Sequence, residues 1–331
     1  MNRMRLLALS TMLILLAPSL ATIRSADAQS YPTRPVKMVV PYPPGGPNDV
    51  MARILAQKLS EALGNQFYVE NQPGAGGSVA AAAVAHALPD GYTVLLGSSS
   101  INLTEMILRE HPLMDPTKDL VPISMVAITA FGIAVNPAVP VKDLKELIDY
   151  IKASPGKMSY GSAGAGTLNH LSGELLKSLT SITDLPHVPY RGAGPALADV
   201  IAGQIPMIIP AMTGQVLEFH RASKIRLLAM TNSERLAGAP EIPTAVEAGV
   251  PGLVTTQVIG LFVPAGTPKT IVARIGEANH AALADKAYQQ SLVDQAFVPV
   301  IDWTAEKFNQ FMTEDVARWT PLVKAIGVRL D

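Results

Sequence analysis

The chain has 331 residues, carries 26 Lys and Arg against 27 Asp and Glu for a net charge of −1, and contains no cysteine. That balance excludes the clustered basic footprint of a nucleic-acid binder. The missing cysteines exclude disulfides, a thiol nucleophile and a thiolate metal site.

The first segment reads as an export signal over residues 1–28. Arg3 and Arg5 precede an apolar run from Leu6 to Leu20, and Ala26-Asp27-Ala28 offers a small-x-small cleavage site before Gln29. The run is shorter than the ~20 residues that span a bilayer. The expectation is a cleaved leader and a soluble protein in the periplasm, with no cysteine beside the cleavage site for a lipid anchor. The remaining chain, about 300 residues, is long enough for two domains with separate cores.

Val36 to Val40 is a β-branched run that predicts a buried strand. Pro43-Pro44-Gly45-Gly46-Pro47-Asn48-Asp49 then forms a glycine turn, and Asn48 or Asp49 can cap the helix after it. That helix carries Met51, Ile54, Leu55, Leu59 and Leu63 on one face and stops at Gly64. A strand over Phe67 to Glu70, a turn at Pro73 to Gly77, an alanine-rich helix to Ala87 and a strand over Thr93 to Leu96 follow. This alternation predicts an α/β fold with a mostly parallel sheet and helices on both faces.

A strand at Phe131 to Val135 restarts the rhythm. A helix over Lys142 to Ala153 buries Leu144, Leu147, Ile148 and Ile151, and Met158 to Tyr160 predicts a short strand. The second glycine turn, Gly161-Ser162-Ala163-Gly164-Ala165-Gly166-Thr167, opens onto a helix over Leu168 to Leu179. His187 to Tyr190 reads as extended, Pro195 to Ala202 as helix, and Ile205 to Ile209 and Ile225 to Met230 as strands. Beyond Leu261-Phe262-Val263-Pro264 two helices are expected, the first starting from Thr267 as N-cap with Pro268 behind it. The last helix carries Phe308, Phe311, Met312 and Trp319 at core spacing.

Both glycine turns follow a strand and precede a helix, so each points backbone N–H groups at an open helix N-terminus, a seat for an anion. Neither is a P-loop, because neither ends in Gly-Lys-Ser/Thr, and Asn169 stands where a dinucleotide fingerprint needs its third glycine. Gly-x-Ser-x-Gly and H-E-x-x-H are absent as well, so no catalytic centre, metal site or cofactor is expected. With near-neutral charge, an anionic ligand would be held by backbone dipoles and hydroxyls more than by a basic patch.

The segments Tyr31-Pro32-Thr33-Arg34-Pro35, Pro43 to Gly46 with Asp49, Glu70 to Gly77 and Pro89 to Thr93 resemble the substrate-binding proteins of tripartite tricarboxylate transporters, the Bug receptors. Tyr160 to Gly164, His187 to Gly192 and Pro264 to Pro268 continue the likeness in the same order. The resemblance implies a two-lobed periplasmic binding protein of type II, with two crossings between lobes, closing on a small carboxylate. Lobe one is expected at 29–130 and 231–331, lobe two at 131–230, with hinges near Phe131 and Met230. Carried onto this chain, the family's site comprises Tyr42, Pro43, Gly45, Gly46, Asn48 and Asp49, then Ser98, Ser99 and Ser100. From lobe two it takes Ser162, Ala163, Gly164 and Thr167. Side chains near Ser98, Pro210, Ala211, Gln257 and Val258 are expected to select the rest of the ligand.

The chain departs from the family where Pro47-Asn48 replaces Gly-Thr and where Pro210-Ala211 replaces an acidic position. An amino group on the ligand would there lack its partner. Asn48 is expected to donate to the ligand, so Asn48→Ala and Thr167→Ala should weaken binding while sparing the ligand-free fold. Asp49 is expected to serve its helix, and His170 to be a structural donor. The resemblance also implies a monomer that serves a membrane permease. A soluble sensor feeding a signalling system, or a periplasmic hydrolase, are the alternatives.

Overall fold

The computed structural model describes residues 31–301 and 304–330; the expected leader over 1–28 lies outside them. The first strand, β1 (Val36–Val40), forms where the β-branched run predicts it, and β2 (Phe67–Asn71) and β3 (Thr93–Ser98) lie parallel on either side. Helices α1 (Pro47–Leu63) and α2 (Ser78–Ala85) make the crossovers. The N-cap of α1 is Gly46 with Pro47 behind it, neither Asn48 nor Asp49, and the helix ends at Gly64 with φ +73°.

A short helix, α3 (Ser99–Leu103), and a π-turn over Thr104–Leu108 follow β3 directly. After α4 (Pro116–Asp119) come the long strand β4 (Leu120–Ala130) and β5 (Gly132–Val135), which leaves the first sheet for the second. Next are α5 (Leu144–Ala153), β6 (Tyr160–Ser162), α6 (Leu168–Thr180), β7 (His187–Pro189), α7 (Ala193–Ile201) and β8 (Met207–Ile208). Then come α8 (Gly214–Arg221), β9 (Arg226–Met230), and β10 (Thr256–Pro264), which returns to the first sheet. Three helices complete the described chain, α9 (Lys269–Ala284), α10 (Lys286–Asp294) and α11 (Ala305–Ile326), with β11 (Phe297–Pro299) before the last. The cap of α9 is Pro268; Thr267 instead bonds back to the Pro264 carbonyl at 2.8 Å.

The strands form two sheets, ordered β11-β4-β10-β3-β1-β2 and β7-β6-β8-β5-β9. Both are mixed, which corrects the expectation of mostly parallel sheets. The halves that carry the glycine turns are parallel, whereas β4, β5, β9 and β10 pair antiparallel. The reason is connectivity: one strand leads out of the first sheet and its neighbour leads back.

Each sheet is covered on both faces. In the first, Val36, Met38 and Val40 pack on Met51, Leu55 and Leu59 of α1, while Val39, Leu95 and Met125 pack on Ala81, Val84 and Phe308. In the second, Ile133 and Val135 pack on Leu144, Leu147 and Leu171, while Ala134 packs on Leu197, Val200 and Val216.

Two segments depart from the expected cut at residue 230. Leu236, Ile242, Val250 and Leu253 lie in the second sheet's cores, so the chain returns at Thr255–Thr256 rather than at Met230. Helix α11 reaches both units. Phe308 and Met312 join the first core, and Trp319 and Val323 join the second. Gly260 makes room for it, since a Cβ there would sit 2.3 Å from Phe308 Cζ. The crossings are tied by Phe131 N donating to Thr231 Oγ1 (3.0 Å) and Thr255 N donating to Thr231 O (2.8 Å).

Candidate ligand-binding cleft

The two glycine turns, one at the carboxyl end of β1 and one at that of β6, face a common small cavity. Tyr42, Pro43, Gly46, Asn48, Ser100 and Gln257 line it from the first unit, and Ala163, Thr167 and Ala211 from the second. Pro47, Asn169 and Ala193 also line it, and sequence reasoning missed all three. Asn169 was readable, because two residues past Thr167 it falls in the first turn of α6.

Gly164 lies on a wider, adjoining cleft that shares Tyr42, Pro43 and Ala163 with the cavity and also takes in Arg191. Gly45, Asp49, Ser98, Ser99, Ser162 and Pro210 line neither. Their bonds explain why. Asp49 accepts from Gly45 N (3.0 Å), Arg53 Nη2 (3.0 Å) and Asn71 Nδ2 (3.0 Å), bracing the first turn from behind. Burial pushes its carboxyl up, but these donors outweigh burial and hold it below the usual value. Ser99 Oγ accepts from Val258 N (3.2 Å), Ser98 shares a hydrogen bond with the Tyr42 hydroxyl (3.2 Å), and Pro210 O accepts from Gly132 N (2.9 Å).

Asn48 differs most from expectation. It is 1% exposed, its amide donates to Leu96 O and Gly97 O (both 3.3 Å), and its oxygen accepts from Gln257 Nε2 (2.9 Å). Those bonds join α1 to β3 and β10, so the side chain holds the cavity wall together instead of presenting a free donor.

Among the described residues no charged side chain lines the inner cavity. What it offers an anion is backbone. The hydrogen-bond ladder of α1 begins with Val50 N donating to Gly46 O, which leaves the amides of Asn48 and Asp49 without intrahelical acceptors. In α6 the ladder begins with Leu171 N donating to Thr167 O, leaving those of Asn169 and His170. Two helix N-termini thus add their positive dipole ends to one small space. Burial pushes the Tyr42 hydroxyl up, so at neutral pH it keeps the proton it can donate.

The two units touch across the cleft. Ser100 Oγ accepts from Leu168 N (3.1 Å), filling one amide of the α6 terminus, and Thr104 Oγ1 reaches Gly166 O (3.4 Å). A Cβ on Gly192 would lie 2.7 Å from Pro43 Cγ. These contacts hold the two sides of the cleft against each other. Among the described residues no group of His, Cys, Asp and Glu could hold a metal ion, and no helix is long and apolar enough to cross a membrane.

The family model described as "Tripartite tricarboxylate transporter family receptor" matches residues 51–328. Protein BugT of Bordetella pertussis is 35% identical over the whole of both chains. The periplasmic binding protein BugD is 32% identical with a TM-score of 0.85, covering 90% of this chain and 99% of its own. An R. palustris protein solved with adipate is 31% identical with a TM-score of 0.87, again over 90% and 99%. These likenesses, together with a cleft between two mixed sheets, make the chain a member of the tripartite tricarboxylate transporter receptor family, periplasmic solute-binding proteins and not enzymes.

Proposed function

We propose that this receptor captures a small organic carboxylate between its two units and delivers it to the membrane permease of a tripartite transporter. The observation that carries the reading is the inner cavity, which has two helix N-termini, one from each unit, and no charged side chain. A carboxylate suits that setting, because backbone N–H groups neutralise it at ~1.5–3 kcal/mol for each charged hydrogen bond. An ammonium group would find no acid to pair with, since Ala211 occupies that wall. The adipate held by the R. palustris relative supports the ligand class, and the family's description supports a permease as recipient.

In this reading the contacts come from Tyr42, Gly46, the backbone N–H of Asn48 and Ser100 on one side and from Ala163, Thr167 and Asn169 on the other. Lobe one comprises residues up to 130 and from 256, and lobe two comprises 131–255, with hinges beside Phe131 and Thr255. Both halves of the site come from one chain, which supports a monomer. Only the closed state gains both sets of contacts, so ligand and closure reinforce each other.

Calorimetric titration against dicarboxylates, tricarboxylates, aromatic acids and amino acids tests it. Binding of a simple carboxylate, with the matching amide giving no heat, is expected. An amino acid binding more tightly than its deaminated counterpart would refute the proposed ligand class.

A further inference from the structure

Beneath the second glycine turn lie two imidazoles for which ligand contact has no use. His170 on α6 and His187 on β7 stack with ring centroids 3.9 Å apart and planes 14° from parallel, and Tyr160 packs against His187 at 5.0 Å. Each ring bonds a different part of the turn. His187 Nε2 shares a 2.6 Å hydrogen bond with Ser162 Oγ, and that oxygen also accepts from Gly164 N (3.1 Å) and donates to Gly164 O (3.1 Å). His170 Nδ1 accepts from Gly166 N (3.1 Å). The turn passes through two positive-φ positions that glycine permits, Gly164 at φ +142° and Gly166 at φ +79°. Its free face carries Ala163 and Thr167 into the inner cavity.

From this geometry we infer that His170 and His187 are positioning residues of the cleft, a neutral stacked pair that sets the shape of the 162–167 turn. The inference rests on the reading that this turn contacts the ligand. For His170 neutrality is a chemical requirement. The Gly166 N–H needs an acceptor, and a protonated His170 has none to offer at Nδ1. Two stacked imidazolium ions would also repel. The charged groups around the pair are Glu174, 4.0 Å from His170 Nε2, and Lys177, which bonds Glu174 at 2.8 Å; Tyr160 donates to Glu174 at 2.8 Å. Glu174 is therefore already committed. Burial holds both imidazoles below their ordinary value; at His170 Glu174 opposes it and Lys177 assists, while at His187 the neighbouring His170 and then Lys177 assist.

The test uses paired substitutions in the purified protein at pH 7. His187→Leu and His170→Leu remove the bonds to the turn. His187→Gln places a polar atom near the former Nε2, and His170→Asn places an acceptor near the former Nδ1. In ligand-free 1H–15N spectra both Leu variants should displace the Gly164 and Gly166 amide resonances, and Gln and Asn should restore them. With adipate as probe, the Leu variants should bind more than tenfold more weakly, and the Gln and Asn variants within about threefold of the parent. If the Gly164 and Gly166 resonances stay in place in folded Leu variants, the positioning role is overturned whatever adipate does. If they move while adipate affinity stays constant, the bracing stands and the turn's contact with ligand is what fails.

Discussion

Replacing Asn48 by alanine should unfold the protein more easily, not merely empty its cleft. The side chain makes three hydrogen bonds in a position 1% exposed, two to the carbonyls ending β3 and one from Gln257, itself 5% exposed. Alanine would strand all three partners. At ~1 kcal/mol net for each bond, discounted because two are long and the cavity admits water to some of the freed groups, the loss is about 2–3 kcal/mol. For a chain of this size that corresponds to a fall in melting temperature of roughly 3–5 °C. Urea denaturation of the ligand-free protein would register it as a lower midpoint at constant slope. Gln257→Ala should cost less once Asn48 is gone, with a coupling of about 1 kcal/mol. A ligand-free Asn48→Ala variant melting within about 1 °C of the parent would refute the reasoning and return Asn48 to the role of a plain ligand donor.

Ser100→Ala removes the acceptor for Leu168 N across the cleft, worth about 1 kcal/mol to the closed form. Small-angle scattering of the ligand-free variant should show a larger radius of gyration; an unchanged profile would contradict the latch. Gly192→Ala drives a Cβ to 2.7 Å from Pro43 Cγ and should weaken ligand binding more than tenfold. Gly203→Ala serves as control for left-handed strain, with φ +74° and only Asn136 Nδ2 at 3.7 Å, and equal affinities in the two variants would count against closure by this contact. Acid should destabilise the fold well before its carboxylates titrate. Burial, then the neighbouring His170, pushes His187 down to about 3, whereas in the unfolded chain it takes a proton near pH 6.5. The unfolded state therefore binds more protons below about pH 6.5, and stability present above that pH falls as pH drops toward 3. Melting temperature should decline between pH 7 and 4.5, less steeply in His187→Gln; equal slopes would exclude His187 as the source.

Much of this architecture is legible in short stretches. Val36 to Val40, the face Met51–Leu55–Leu59, the stop at Gly64 and the helix from Leu168 are local patterns that the tertiary structure leaves intact. The strand β4 was not legible, because Pro122 lies within it and proline argues against a strand inside a sheet. It is tolerated beside a register shift in the pairing with β10. In the cleft, the sequence shows which turns converge, yet not which polar atoms remain free. Asn48 meets Gln257 across 209 positions and Ser100 meets Leu168 across 68. Such partners are created by the fold, and they set two candidate ligand contacts, Ser98 and Ser99, as braces behind the cavity wall.

The central claim is that both glycine turns grip one carboxylate. A crystal structure of the protein with the tightest-binding acid from the titration tests it most directly. The account predicts the carboxylate oxygens in hydrogen-bond range, directly or through one water, of backbone N–H groups from residues 42–49 and from residues 162–170 together. A bound acid touching only one of these segments, with the other turned toward bulk solvent, would contradict it.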